Sequence, residues 1–228
     1  MVTKFWLIPI AATGVLFPAF ASTLSSEARR TDLFTRAVKY IGFVLFPLTL
    51  TIVVFSHEGL TIWLGPEFAR QSTLVLQLLM AGVLVNSLAQ IPFALIQGVG
   101  RPDLTAKLHL AELPLYLVLL VFLIRRNAIT GAAVAWLVRV SVDGFLLFLI
   151  TERLRLVRPA TIARMLAVIG LLLLVLLVAA TLPNAVLKSA YLAVTLVAWG
   201  ASSWFVLWSR EERGSGSNPW RRIGRLLT

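Results

Sequence analysis

The sequence predicts an all-α, polytopic membrane helix bundle with about seven transmembrane helices. Three observations carry that prediction. The 228-residue chain is 59% hydrophobic and only 14% charged, whereas a soluble domain is nearer half apolar and about a quarter charged. Its mean hydropathy is +0.90. Its apolar residues fall in mainly apolar runs of about 20, the length a helix needs to cross a bilayer. Disorder, collagen-like repeats and an ordinary cytosolic enzyme are excluded on composition alone.

Seven segments, A to G, meet the length requirement. Segment A runs from Phe5 to about Leu24 without a charge, B over Phe34–Ser56, and C over Ser72–Gly98, long enough to tilt. Segments D and E cover Lys107–Ile124 and Ala128–Ile150 and fold back on each other around Asn127. Segment F is the Leu/Val-rich run Met165–Leu182, stopped by Pro183, and G covers Ser189–Ser209. F and G contain no internal proline and few polar groups, which marks them as peripheral. Three parts follow: a bundle of segments A–E over 1–156, two additional spans over 157–209, and a basic tail over 210–228. The tail passes from Gly214-Ser215-Gly216-Ser217 to Trp220-Arg221-Arg222, an interfacial anchor in character.

The formal net charge of +11 would point to nucleic acid in a soluble protein. Here membrane topology accounts for it, and no nucleic-acid partner is expected. Basic residues concentrate on the cytoplasmic side of membrane proteins. The A–B loop carries Arg29, Arg30, Arg36 and Lys39, and the C–D loop Arg101 and Lys107. The E–F loop carries Arg153, Arg155, Arg158 and Arg164, and the tail five more arginines. The opposite side holds only Lys4, Arg70, Arg125, Arg126 and Lys188. The bias predicts a multi-pass protein of the bacterial inner membrane, N-terminus outside and C-terminus cytoplasmic. A secretory signal is the rival reading of the start, because Ala19-Phe20-Ala21 mimics a small-residue cleavage site. It would turn the basic A–B loop outward against the downstream loops. An external N-terminus and an odd number of spans together lead us to expect the C-terminal part of something larger.

No cysteine is present, so disulfides and thiolate chemistry are excluded, and two histidines leave little room for a His-rich metal site. No cofactor and no catalytic group are expected, since the connections are too short to hold a polar catalytic domain. His57-Glu58 reads as part of an ordinary loop, and Gly98-Val99-Gly100 ends a membrane helix rather than opening a nucleotide-binding turn. Prolines within the spans (Pro9, Pro18, Pro47, Pro92, Pro114) are either shape determinants or bending points.

The candidate site residues are the polar groups inside the spans. Segment C carries Gln77, Asn86, Gln90 and Gln97; Gln90 and Gln97, seven apart, share a face, and Asn86 falls close to it. They serve either as interhelical hydrogen-bond partners or as a hydrophilic wall for a sugar-bearing substrate. His109 and Glu112 lie in the first turns of D, and Arg139 and Asp143 inside E. At 1.5 Å per residue Asp143 lies roughly 10 Å, and Arg139 roughly 16 Å, from the cytoplasmic end of E. Arg139 and Asp143, four residues apart, are placed to meet on one face. The hairpin about Asn127 brings Glu112 to the depth of Ser141, between them. Ionisable groups at such depth face protein or water. They form either a self-neutralised structural cluster or a site for a substrate headgroup or proton.

Several stretches resemble a known family. Leu16-Phe17-Pro18-Ala19-Phe20-Ala21-Ser22 closes A, and Ile62-Trp63-Leu64-Gly65-Pro66-Glu67-Phe68-Ala69 joins B to C. Gln97-Gly98-Val99-Gly100-Arg101-Pro102-Asp103-Leu104-Thr105-Ala106-Lys107 leads into His109, Glu112-Leu113-Pro114 and Tyr116, and Gly131-Ala132-Ala133-Val134-Ala135-Trp136 continues to Arg139 and Asp143. Together they resemble the C-terminal half of polysaccharide-export flippases of the O-antigen type, in the multidrug/oligosaccharidyl-lipid/polysaccharide (MOP) exporter superfamily. The resemblance covers about Phe5–Leu156. Its most specific part is the loop motif Gly100, Arg101, Pro102 and Asp103 with the Glu-Leu-Pro that follows. F and G resemble the extra terminal pair of fourteen-helix members.

The resemblance implies one lobe of a two-lobed transporter that moves undecaprenyl-pyrophosphate-linked oligosaccharide between leaflets by alternating access. It also implies an N-terminal lobe, or a second chain, as the other wall of the cavity. A multidrug or small-solute exporter on the same fold is the alternative, and a non-transporting fragment or assembly partner a third.

Overall fold

A computed structural model describes residues 16–22 and 26–207. Most of segment A and the tail therefore lie outside the described residues. All secondary structure among those described is helical. After a helical stretch over 16–21, the elements are α1 (Glu27–Val54), α2 (Ser56–Leu64), α3 (Pro66–Gly98), α4 (Pro102–Arg153), α5 (Pro159–Ala180) and α6 (Ala185–Leu207). Five of these are long and apolar enough to cross a membrane. The 52-residue α4 is two arms, because Asn127 (φ −132°, ψ 19°) and Ala128 (φ 46°, ψ −127°) break its helical path. Segments B, C, D, E, F and G thus correspond to α1, α3, the two arms of α4, α5 and α6. The chain is a multi-pass membrane protein.

The helix ends follow from local chemistry. Ser26 caps α1 by accepting the Arg29 N–H, with Glu27 in the first turn, where a carboxylate complements the exposed amides. That cap starts α1 seven residues before the apolar run begins at Phe34. Prolines open α3, α4 and α5, a position at which the missing N–H costs nothing. Helix α3 ends in a turn in which Arg101 N–H reaches Ile96 O, Gly100 N–H reaches Gln97 O, and Gly100 takes φ +79°. This is a Schellman cap, with glycine at its left-handed position.

The chain divides into two compact units, Met1–Lys188 and Ser189–Thr228. In its described part the second is the remainder of α6. In the first, α3 is the central helix. It packs most extensively on α4, and also on α1, α2 and α5. Its middle is the most deeply buried stretch, with Leu84, Leu88, Ile91, Leu95 and Ile96 at 1% exposure or less. Phe34 of α1 meets Phe148 of α4 edge-on at 5.9 Å. Small residues set the closest approaches, as in membrane bundles generally. Gly82 seats the Trp136 ring, and Gly144 packs on Val85 and Ala89. Segment F, which reads as peripheral, packs as α5 against α1 and buries Ile162, Met165, Leu172, Leu176 and Ala179. The expected boundary at 156/157 falls inside the first unit.

The connections sort into two ends. At one end Arg30 Nε donates to Leu156 O across 2.7 Å, and Gly98 abuts Phe17, Phe20 and Ala21. The loops that the charge pattern assigns to one side of the membrane are therefore gathered together. At the other end lies a feature the sequence reading missed. The B–C connection is a nine-residue helix, α2, leaving Ile62 (87% exposed), Trp63 and Leu64 on its surface. An apolar, Trp-bearing helix between two spans suits the membrane interface.

Gln77 fixes α2 by donating to Ser56 Oγ (2.9 Å) and Val53 O (3.3 Å). Lys188 fixes it from a distance in sequence, donating to Glu58 Oε1 at 2.7 Å. Partial burial pushes the Glu58 carboxyl up, but the Lys188 hydrogen bond and charge, with a backbone N–H, outweigh this and hold it below its ordinary value. A depressed carboxyl stabilises the fold fully above its unfolded value, and that contribution is lost as pH falls through its folded value. Thermal stability should therefore drop on acidification across this interval, and Glu58→Gln should flatten that limb of the pH profile. An unchanged limb in Glu58→Gln would assign the acid sensitivity elsewhere.

Candidate functional site

The polar groups of α4 converge because its arms are antiparallel. Folding at Asn127–Ala128 sets His109 and Glu112 of the first arm against Arg139 and Asp143 of the second. His109 Nε2 lies 3.1 Å from Asp143 Oδ1. The His109 ring also stacks on Phe93 of α3, with centroids 5.7 Å apart and planes at 13°. The stack fixes the imidazole between α3 and the second arm. Glu112 and Asp143 are both buried, at 8% and 9% exposure, and Asp143 acts electrostatically on Glu112. Both Glu112 carboxyl oxygens are buried, with the Asp143 carboxyl as their polar neighbour.

Arg139 differs from its expected placement. It does not come within ion-pair distance of Asp143; its guanidinium lies over the Tyr116 ring, 5.3 Å from the centroid. Four-residue spacing allows two side chains on one helix to meet, but a long arginine also reaches an aromatic face on the neighbouring arm, where its cation is favoured. Asp143 meets the His109 imidazole across the hairpin instead. The His109–Asp143 contact was within reach of sequence reasoning, since the fold about Asn127 sets the two within about one turn in depth.

The amides of α3 divide. Asn86 is buried within Val85–Ala89, the stretch that packs on Gly144, so it stands at the level of Asp143. Gln90 follows at the same level, half-buried. Gln97 lies about 10 Å further along the axis, beside Gly98 at the C–D turn, and is not part of this cluster. Gln77 ties α3 to the end of α1 and to α2, an interhelical role.

The loop motif Gly100, Arg101, Pro102 and Asp103 builds the turn between α3 and α4. Gly100 supplies the left-handed backbone and Pro102 the helix start. Asp103 pairs with Arg101 at 3.1 Å and Lys107 at 3.7 Å. These groups sit at the bundle end, roughly 15 Å in helix rise from Glu112.

The cluster therefore contains two carboxyls, one imidazole and one guanidinium among apolar helices. His109 and Arg139 thus face the two carboxyls of Glu112 and Asp143. The chemistry open to such an arrangement is exchange of a cation or contact with a polar group of a substrate. No group of three or more metal-ligating side chains occurs among the described residues.

No family model matches the chain, and no solved structure matches it. Among curated proteins it is similar to one from Shigella flexneri described as "Putative O-antigen transporter", 31% identical over 147 residues. The match takes in 64% of this chain and 35% of that protein, so the chain spans about a third of the relative's length. The resemblance to O-antigen-type flippases rests, then, on an aligned relative as well as on the motifs that carry it.

Proposed function

We propose that the chain is a component of a flippase that translocates lipid-linked oligosaccharide across the bacterial inner membrane for polysaccharide biosynthesis. The observation that carries this reading is the similarity to a protein described as an O-antigen transporter. The cluster of His109, Glu112, Arg139 and Asp143, with its two carboxyls buried, supports it. A helix bundle with no transport role gains little from four ionisable groups whose burial is costly. The donor is an undecaprenyl-pyrophosphate-linked glycan, as the family resemblance implies. The described helices form one wall of a translocation cavity, and a second lobe or chain supplies the other. The N-terminus faces outward and the C-terminus the cytoplasm, in line with the basic loops gathered at one end of the bundle.

Deleting the gene in its own host tests this. Surface polysaccharide should fall, lipid-linked oligosaccharide should accumulate on the cytoplasmic leaflet, and the intact gene should reverse both. Normal surface glycan with raised sensitivity to small toxic solutes would instead identify a small-solute exporter.

A further inference from the structure

The linker between α4 and α5, Leu154 to Arg158, ends α4 in the same Schellman geometry that Gly100 provides after α3. Leu156 N–H reaches Thr151 O, and Arg155 N–H reaches Glu152 O. The left-handed position, however, holds Arg155 at φ +51°. Glycine fills such a position without steric cost, and an arginine fills it under strain. The linker itself is fixed. Leu156 and Val157 are buried at 9% and 1% exposure, and Arg30 clamps the Leu156 carbonyl.

Fixing the backbone this way holds a set of cations outward. Arg153, Arg155 and Arg158 are exposed, and none has a side-chain partner among the described residues. The Arg30 clamp brings the first turn of α1, with exposed Arg29, to the same place. The nearby acids in sequence are Glu152, Glu27 and Asp32, and Asp32 is paired with Arg36, too few to neutralise it. Helix α5 then leaves this patch with Arg164, Val168, Leu171 and Val178 exposed along one stripe at helical spacing. A cationic head joined to an apolar stripe matches an anionic headgroup joined to an acyl chain.

We propose that the α4–α5 linker and the adjoining face of α5 form a binding site for an anionic phospholipid of the leaflet that this end of the bundle faces. The phosphate lies among Arg153, Arg155 and Arg158, and one acyl chain runs along Val168 and Leu171. The site is distinct from the His109–Asp143 cluster and does not depend on the transport reading. Basic juxtamembrane groups attract anionic lipid by roughly five-fold in affinity per arginine, an attraction that salt screens.

The test uses the full chain purified in a neutral detergent. Its thermal stability is followed during titration with phosphatidylglycerol, phosphatidylcholine or inorganic phosphate. Phosphatidylglycerol should raise stability well above phosphatidylcholine, and the midpoint should move to higher lipid concentration as salt is added. Arg155→Gly should leave the lipid-free protein at least as stable as wild type, because it relieves the left-handed strain, yet weaken the phosphatidylglycerol response roughly five-fold. Arg153→Gln/Arg158→Gln should weaken it further, and Leu171→Asn should weaken the lipid response alone. Equal gains from the two lipids, or an undiminished response in Arg155→Gly, would overturn the proposal. A matching gain from inorganic phosphate would overturn the assignment to lipid.

Discussion

Gly131→Ala should destabilise the chain by about 3 kcal/mol or more, beyond the usual cost of overpacking a core. A Cβ built on Gly131 overlaps Leu123 O and Leu123 C, with Ile124 N at 3.0 Å. All three are backbone atoms of the facing arm, so no flexible side chain can yield. The hairpin must splay from its tip, which draws His109 and Glu112 away from Asp143. The adjoining turn should respond in the opposite sense. Ala128 holds φ +46°, so Ala128→Gly should gain up to about 1 kcal/mol. Thermal unfolding of detergent-extracted protein reads both changes. A Gly131→Ala variant as stable as wild type would show that the arms do not meet at this glycine.

The hairpin was legible because its signals are long and redundant. Two apolar runs flank Arg125-Arg126-Asn127, too few polar residues to form anything but a tight reversal. The same arithmetic set Glu112 beside the Arg139–Asp143 turn of the opposite arm. Side-chain choice is a shorter-range matter. Whether Asp143 turns to Arg139 or to His109 depends on Tyr116 and Phe93, which present ring faces to the arginine and the imidazole. Neither preference appears as a period or a charge run. Helix α2 was illegible for another reason. Its nine residues are too few for a periodic signal, and its apolar end is exposed rather than buried, so the pattern that marks a packed helix is missing. The helix ends also ran past the apolar runs. Ser26 and the opening prolines, rather than hydropathy, decide where α1, α3 and α4 begin.

Loss of His109 should be more damaging than loss of its partner Asp143, and loss of both less damaging than loss of His109 alone. His109→Leu leaves Asp143 and Glu112, two buried carboxyls, with Arg139 held over Tyr116 as their nearest cation. Stranding a buried charge costs about 3–5 kcal/mol. Partial exposure of His109, at 39% of its side chain, places this case toward the lower bound. Asp143→Leu removes one of the two buried carboxyls and leaves a partly exposed imidazole, so its cost is smaller. In His109→Leu/Asp143→Leu the stranded charge is gone and an apolar contact replaces the pair, which is often neutral or favourable in a buried site. The combined loss should therefore fall short of the sum of the single losses by more than 1 kcal/mol, the signature of a coupled pair. Simple additivity would show that the 3.1 Å contact contributes nothing. Expressed in the native host in place of the wild-type gene, the double variant also separates structure from transport. If it folds and surface polysaccharide is lost, the cluster handles substrate or a coupling cation. If it folds and export persists, the His109–Asp143 contact joins the two arms of α4 and does no more.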